Sequence, residues 1–185
     1  MTSAATYSAA EALRDGRRIE IRSLRPDDRP GLLNAVERTS AQSLYRRFFG
    51  AKRGVSEKEI EFFLNVNFID HVALVATIEE ESQAIIVGGG RYVIVRPGTA
   101  EVAFAVIDDY QGQGIGGALL RHLIALARGA RLKELIAEVL PENRPMLKLF
   151  EKSELNCTTK RQGSVVHVTL QLLGSPKHVS RKPNR

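Results

Sequence analysis

Runs of apolar residues typical of β-strands recur along the chain. In the first of them, Ile19 and Ile21 alternate with polar neighbours. The last two of these runs, at 155–160 and 165–172, lie on either side of Gln162-Gly163, which predicts a hairpin. The expected strands cover residues 18–24, 71–78, 84–95, 99–107, 134–140, 155–160 and 165–172. We therefore expect a sheet of about seven strands.

Helical spacing of apolar residues and capping signals predict helices between these strands. Asp27 or Asp28 can cap a helix that extends to about Thr39, and Ser56 with Glu59 forms a capping box for another. The expected helices are 28–39, 40–49, a third that begins after Ser56, one from about 114 to 128, and a short one after Asn143. Strands and helices that alternate in this way predict an α/β (α+β) fold class.

Length and composition are typical of a single globular domain. The chain has 185 residues, of which 43% are hydrophobic, enough to form one core. No apolar run is long enough to cross a bilayer, and the N-terminal segment lacks the apolar centre of a signal peptide. Cys157 is the only cysteine, which excludes an internal disulfide and a cysteine-built metal site. These features predict a cytoplasmic protein without a bound metal.

The net charge of +6 is unevenly distributed. Residues 174–185 hold four Lys or Arg residues and no acid, and they contain no aromatic residue that would stack on a base. A solvated tail is favoured over nucleic-acid binding. We expect a flexible arm at 1–17, the folded domain at 18–173 and a disordered basic tail at 174–185.

A glycine-rich stretch at 111–117 stands between a predicted strand and a predicted helix. Backbone amides in such a loop, together with the helix N-terminus, can bind a phosphate or pyrophosphate. A helix that merely begins with glycines is the simpler alternative, and the glycine spacing differs from the dinucleotide-binding pattern. A second run, Gly88-Gly89-Gly90, predicts a bulge or a close backbone approach within its strand.

The strand at 99–107 has one bulky and one small face. Val102, Phe104 and Val106 alternate with Glu101, Ala103 and Ala105. The bulky face belongs to a core, whereas the small face leaves room for a ligand or a helix. From composition alone, Glu101 is either an ion-paired surface residue or a catalytic carboxylate.

The sequence Gln111-Gly112-Gln113-Gly114-Ile115-Gly116 resembles the acetyl-CoA motif of the GCN5-related N-acetyltransferases (GNAT). Asn143, at the start of the next helix, is a second matching position, and the order of elements over residues 18–173 is similar to that fold. The resemblance implies a single domain with a mixed, mostly antiparallel sheet and helices on both faces. It also implies two splayed central strands that hold acetyl-CoA.

The resemblance assigns the contacts of acetyl-CoA, the implied co-substrate. Gln111 belongs to the motif, and the amides of Gly112, Gln113, Gly114, Ile115, Gly116 and Gly117 would bind the pyrophosphate. Ala105, Val106 and Ile107 would pair with the pantetheine amides, and Asn143 would approach from the opposite wall. An amide near Val106 is expected to stabilise the thioester oxyanion.

Three segments, 43–49, 100–106 and 139–146, resemble the acetyltransferase domain of bacterial Pat-type protein lysine acetyltransferases. The resemblance implies a protein lysine as acceptor and Glu101 as the general base. In such enzymes the domain is commonly joined to a regulatory domain, which 185 residues leave no room for. Phe150 stands where many family members place a tyrosine general acid, so no acid is assigned.

Three other interpretations of the sequence stay open. The first is acetylation of a small-molecule amine, and the second is a non-catalytic acyl-CoA-binding sensor. The third, a nucleic-acid-associated protein, is the least favoured. Neither the acceptor, the acyl-chain preference nor homo-oligomer formation follows from the sequence.

Overall fold

The computed structural model describes residues 3–49 and 54–173. Its centre is an eight-stranded sheet with the order β1-β2-β3-β4-β5-β6-β8-β7. All neighbouring strands are antiparallel except β5 and β6, which are parallel. The strands are β1 (Ser8–Ala12), β2 (Arg18–Ser23), β3 (His71–Glu80), β4 (Gln83–Arg96), β5 (Thr99–Val106), β6 (Glu134–Val139), β7 (Asn156–Gln162) and β8 (Val165–Gln171). The mixed, mostly antiparallel sheet expected from the resemblance is confirmed.

Helices cover both faces of the sheet. Leu32 and Leu64 pack with Ala73 and Val75 on one face, and Leu123 approaches Gly90 on the other. The helices are α1 (Arg29–Glu37), α2 (Ala41–Phe48), α3 (Glu57–Leu64), α4 (Ile115–Gly129) and α5 (Arg144–Glu151). Short 3-10 helices span Ala4–Thr6, Pro26–Asp28 and Asp108–Tyr110. Over residues 3–49 and 54–173, no helix is both long and apolar enough to cross a membrane.

Two of the predicted helix caps agree with the structure, whereas the cap of the first helix does not. Asp28 stands at the N-cap of α1, but its side chain makes no capping hydrogen bond because its carboxylate accepts from Arg22 and from the Arg25 amide. Ser56 Oγ accepts from the Glu59 amide and Glu59 accepts from the Ser56 amide, which forms the expected capping box. Asn143 Oδ1 accepts from the Met146 amide at 3.4 Å and caps α5. Local hydrogen-bonding chemistry is sufficient to place these helix starts.

The N-terminal segment expected to be a flexible arm contains an additional strand. Ser8–Ala12 forms β1, which pairs antiparallel with β2, so the sheet has eight strands instead of about seven. The Tyr7 hydroxyl hydrogen-bonds His122 Nδ1, and Glu11 Oε1 lies 2.7 Å from His122 Nε2. Side-chain contacts with α4 therefore hold this segment, which corrects the prediction for residues 1–17. The predicted basic tail, 174–185, lies outside the described residues.

The glycines of β4 lie where other groups approach the backbone closely. The pairing of β3 with β4 shifts register at Ala76 and Thr77, opposite Val87, so a bulge directly precedes the glycines. A Cβ on Gly90 would lie 2.7 Å from Phe104 Cδ1, closer than packed carbon atoms allow. Both the bulge and the close approach predicted for this run are confirmed.

Candidate active site

Strands β5 and β6 separate partway along their length. They pair only between Thr99–Glu101 and Glu134–Ile136. Beyond Glu101, β5 keeps its antiparallel partner β4 but no longer pairs with β6. A cavity of about 520 Å³ opens at this point, lined by both strands, the glycine loop, α2 and α5. The expected splayed strands are therefore present.

The glycine loop presents a row of unused backbone donors. Among the described residues, none of the amides from 112 to 117 donates a hydrogen bond, whereas the Ala118 amide donates to Gly114 O at 3.0 Å. Gly112 and Gly114 have φ values of 75° and 99°, which only glycine adopts at little cost. Unsatisfied amides at the start of a helix favour an anionic ligand. The loop thus fits a phosphate group.

Side chains fix the glycine loop to the start of α2. The Asp108 carboxylate accepts from the Ser40 amide and hydroxyl, both at 2.8 Å, and from the Ser43 hydroxyl at 2.9 Å. Gln111 Nε2 donates to Ser43 Oγ at 3.1 Å and to Val106 O at 3.0 Å. The pKa of Asp108 is lowered: burial acts to raise it, but the Ser40 and Ser43 hydrogen bonds outweigh that effect. The loop is therefore anchored before any ligand binds.

The cavity brings together all but one of the residues predicted to contact the cofactor. Gln113 does not line it, because its Nε2 donates to Asp109 O at 2.8 Å and its Oε1 accepts from Arg17. Its side chain serves the loop's own structure. The predicted residues that line the cavity are Ala105, Val106, Ile107, Gln111, Gly112, Gly114, Ile115, Gly116, Gly117 and Asn143.

Glu101 lies on the small face of β5 and lines the same cavity. Glu101 is exposed to solvent, whereas Val102 and Phe104 on the opposite face of β5 are buried. Among the described residues, no hydrogen-bond donor and no cation within ion-pair distance engages its carboxylate. The carboxylate is therefore free to accept a proton from a ligand.

The tyrosines and Phe150 differ in their access to the cavity. Phe150 is buried, with its ring centroid 6.1 Å from that of Phe104, and has no proton to donate. Tyr92 is buried too, and burial raises its pKa to about 12. Tyr110 lines the cavity but is mostly buried between Arg17 and Arg38. Of Tyr92 and Tyr110, only Tyr110 lines the cavity.

Two arginines that the sequence prediction missed also line the cavity. Arg47 projects from α2, and Arg91 lies on β4 directly opposite Ala103 of β5. Burial, and secondarily the charge of Arg47, lowers the pKa of Arg91 to about 9. Burial also lowers the pKa of Arg47, an effect that the negative charge of Glu101 opposes. The alternation of β4 is the sequence signal that would have placed Arg91 on this face.

Sequence comparison identifies the family. The pattern of the acetyltransferase (GNAT) family matches residues 38–154, which include the glycine loop, Glu101 and Asn143. The chain belongs to the GNAT family. It is accordingly an acetyl-CoA-dependent acetyltransferase, and its mixed sheet with splayed strands is the fold of that family.

Individual relatives agree with the family match. An acetyltransferase of Pseudomonas aeruginosa is 32% identical over 137 residues, covering 74% of this chain and 74% of its own length. The acetyltransferase Pat of Mycolicibacterium smegmatis is 33% identical over 144 residues, which are 76% of this chain but 42% of that protein. The crystal structure of the GNAT domain of S. lividans PAT superposes with a TM-score of 0.82 at 34% identity, covering 89% of this chain and 96% of that one. The resemblance to Pat proteins is thus shown for the acetyltransferase domain.

Proposed function

We propose that this GNAT domain transfers the acetyl group of acetyl-CoA to a lysine side chain of a protein, with Glu101 as general base. The observation that carries the proposal is the unengaged Glu101 carboxylate in the cavity that also holds the free amides of the glycine loop. The similarity to Pat proteins supports a protein acceptor.

The chain's own groups fit each part of acetyl-CoA. The amides from 112 to 117 would hold the pyrophosphate, and the N-terminus of α4 adds partial positive charge. The unpaired edge of β5 near Ala105 offers backbone groups to the pantetheine amides, as a neighbouring strand would. The bound thioester supplies the acetyl carbon that the amine attacks. Asn143 lies across the cleft and lines the same cavity.

Glu101 would make the acceptor amine nucleophilic. A lysine ammonium has a pKa of about 10.4, so it must lose a proton before it can attack a thioester. The carboxylate can accept that proton directly or through one water, since no protein donor among the described residues competes for its oxygens. The CoA thiolate is a stable anion and can leave without being protonated by the enzyme. A buried Phe150 at the position where other family members have a tyrosine general acid is therefore compatible with this reaction.

The replacement Glu101→Gln tests this role. The amide keeps the shape of the side chain but cannot take the proton, so kcat should fall by about 10²- to 10⁴-fold. The Kd for acetyl-CoA, measured by calorimetry, should stay within about twofold, because the phosphate and pantetheine contacts are untouched. Glu138→Gln is the matched control: Glu138 is an exposed carboxylate that lines the cavity from β6.

Turnover by Glu101→Gln at the wild-type rate would show that the base is another group. If the protein binds acetyl-CoA but releases no CoA with any protein or small amine supplied, the result would support a sensor instead of an enzyme. Activity on small amines alone would replace the protein acceptor by a small molecule.

A further inference from the structure

Two guanidinium groups lie on the same face of the sheet as Glu101. Arg91 pairs across strands with Ala103, two residues from Glu101, so both project to one face. α2 packs on β5 and brings Arg47 to the cavity. Ala103 lies about 10 Å before the end of β5 at Val106, counted along the strand. The arginines therefore stand at the Glu101 end of the cleft, away from the phosphate-binding amides.

Neither guanidinium has a carboxylate partner within ion-pair distance in the described part of the chain. Arg91 Nη1 instead donates to His71 Nε2 at 3.0 Å, and its guanidinium lies 4.3 Å from the centroid of the Phe63 ring. His71 Nδ1 donates to Asn65 O at 3.1 Å, which leaves Nε2 as an acceptor. A neutral imidazole and an aromatic ring hold Arg91 in place without neutralising it.

The positive charge here exceeds the negative charge. Two carboxylates line the cavity, Glu101 and the exposed Glu138, whereas the guanidiniums of Arg47, Arg91 and Arg46 number three. The pKa of Arg47 and that of Arg91 are lowered, first by burial. Arg46, the neighbour of Arg47, also lines the cavity, and its buried Nε has no hydrogen-bond partner among the described residues. Buried guanidinium donors are ordinarily satisfied by carboxylates or phosphates. The site is therefore arranged for an anion that comes with the acceptor.

We propose that Arg47 and Arg91 bind the carboxylate of an Asp or Glu residue next to the target lysine. The inference rests on the proposed function, because it specifies the acceptor at the same site. The lysine amine would reach Glu101 while the neighbouring carboxylate meets the two guanidiniums. An acidic flank supplies the missing negative charge without competing for the glycine-loop amides.

The test uses synthetic N-acetylated peptides, each with a single central lysine. One set carries a single Glu one or two positions before or after the lysine, and the matched set carries Gln at that position. For the wild type, the best Glu peptide should exceed its Gln partner about 10- to 100-fold in kcat/KM, as expected for a charge-assisted hydrogen bond. In Arg47→Gln this ratio should fall to about one, with the KM for acetyl-CoA unchanged.

Three further variants separate recognition from folding and general charge. Arg91→Gln should lower the same ratio, and circular dichroism will show whether this half-buried variant folds. Arg47→Lys keeps the charge but loses the bidentate geometry, so an intermediate ratio is expected. Arg18→Gln removes an exposed arginine that does not line the cavity and should retain the wild-type ratio.

The outcomes distinguish this inference from the proposed function. If wild type acetylates Glu and Gln peptides equally, the inference is wrong and the protein-lysine function stands. If no peptide or protein is acetylated while small amines are, both are overturned. If Arg18→Gln lowers the ratio as much as Arg47→Gln does, net charge and not this pair selects the acceptor.

Discussion

Gly90 is the residue at which the packing around β4 leaves least room. An added Cβ would lie 2.7 Å from Phe104 Cδ1 and 3.0 Å from Leu123 Cδ1, and both side chains are buried. Gly90→Ala should therefore lower the free energy of unfolding by about 1–3 kcal/mol, the usual cost of overpacking a core. Urea unfolding followed by circular dichroism measures the change.

The neighbouring glycine provides the control for Gly90. A Cβ on Gly89 would have only Leu74 O nearby, at the ordinary distance of 3.5 Å. Gly89→Ala should thus cost far less than Gly90→Ala. Equal losses for the two variants would mean that the contact with Phe104 does not determine the effect, since the lower entropy of the unfolded chain favours Ala at both positions.

Single residues also show how far the sequence could predict the site. The place of Glu101 on the small face of β5 was predictable, because strand alternation groups it with Ala103 and Ala105. Its role as general base was implied by the family resemblance and stays a prediction. Alternation along β4 could have assigned Arg91 to a face of the sheet, but its position beside Ala103 depends on the register between two strands. The register follows from pairing along the whole strand, which local patterns do not specify.

Among the elements, one carboxylate makes most of the hydrogen bonds that connect the glycine loop to α2, and Gln111 adds one more. Asp108 accepts three hydrogen bonds from Ser40 and Ser43. Without these hydrogen bonds the glycine loop should be less well ordered before acetyl-CoA binds. Asp108→Ala should therefore raise the Kd for acetyl-CoA about two- to tenfold, as expected for the loss of such hydrogen bonds. Calorimetric titration with acetyl-CoA gives the Kd.

Asp109→Ala is the matched control for Asp108. Its carboxylate is exposed and lies 3.5 Å from Arg38, and among the described residues its side chain contacts neither α2 nor the loop amides. We expect the Kd of this variant to stay near the wild-type value. A wild-type Kd for Asp108→Ala as well would show that the loop is ordered without α2.

Strand β1 shows why one element escaped prediction. Its sequence, Ser-Ala-Ala-Glu-Ala, has small residues and no bulky apolar alternation. Pairing with β2 satisfies its backbone, and Tyr7 and Glu11 fasten it to His122 on α4. Such partners are distant in sequence, so propensity alone predicted a flexible segment. Strands β3 to β6 were predictable because their apolar runs are long and bounded by turns.

At the scale of the whole molecule, a buried ion pair joins β2 to the start of α1. Arg22 donates through both terminal nitrogens to Asp28, at 2.7 Å each, and the Arg25 amide donates to the same carboxylate at 2.7 Å. Burial acts to raise the pKa of Asp28, but these hydrogen bonds outweigh it and the pKa is lowered. Folding therefore depends on an ionised Asp28.

The pKa values of His71 and Asp28 predict a stability that falls in two stages on acidification. Burial, and then the charge of Arg91, lowers the pKa of His71 below its ordinary 6.5. As the pH falls below 6.5, the unfolded chain binds the proton first, so the folded state loses stability. Asp28 likewise has a folded pKa below its ordinary 3.8, so its contribution is present above that pH and is lost below it.

Urea titrations at a series of pH values measure both stages. His71→Gln removes the titrating imidazole, so the stability loss that begins near pH 6.5 should shrink while the acid stage remains. Asp28→Asn should be less stable than the wild type at pH 7 by about 3–5 kcal/mol, because it leaves Arg22 buried without its partner. The same variant should lack the stage below pH 3.8. An unchanged pH profile in His71→Gln would show that the imidazole binds its proton equally well in the folded and unfolded states, contrary to its hydrogen bond from Arg91.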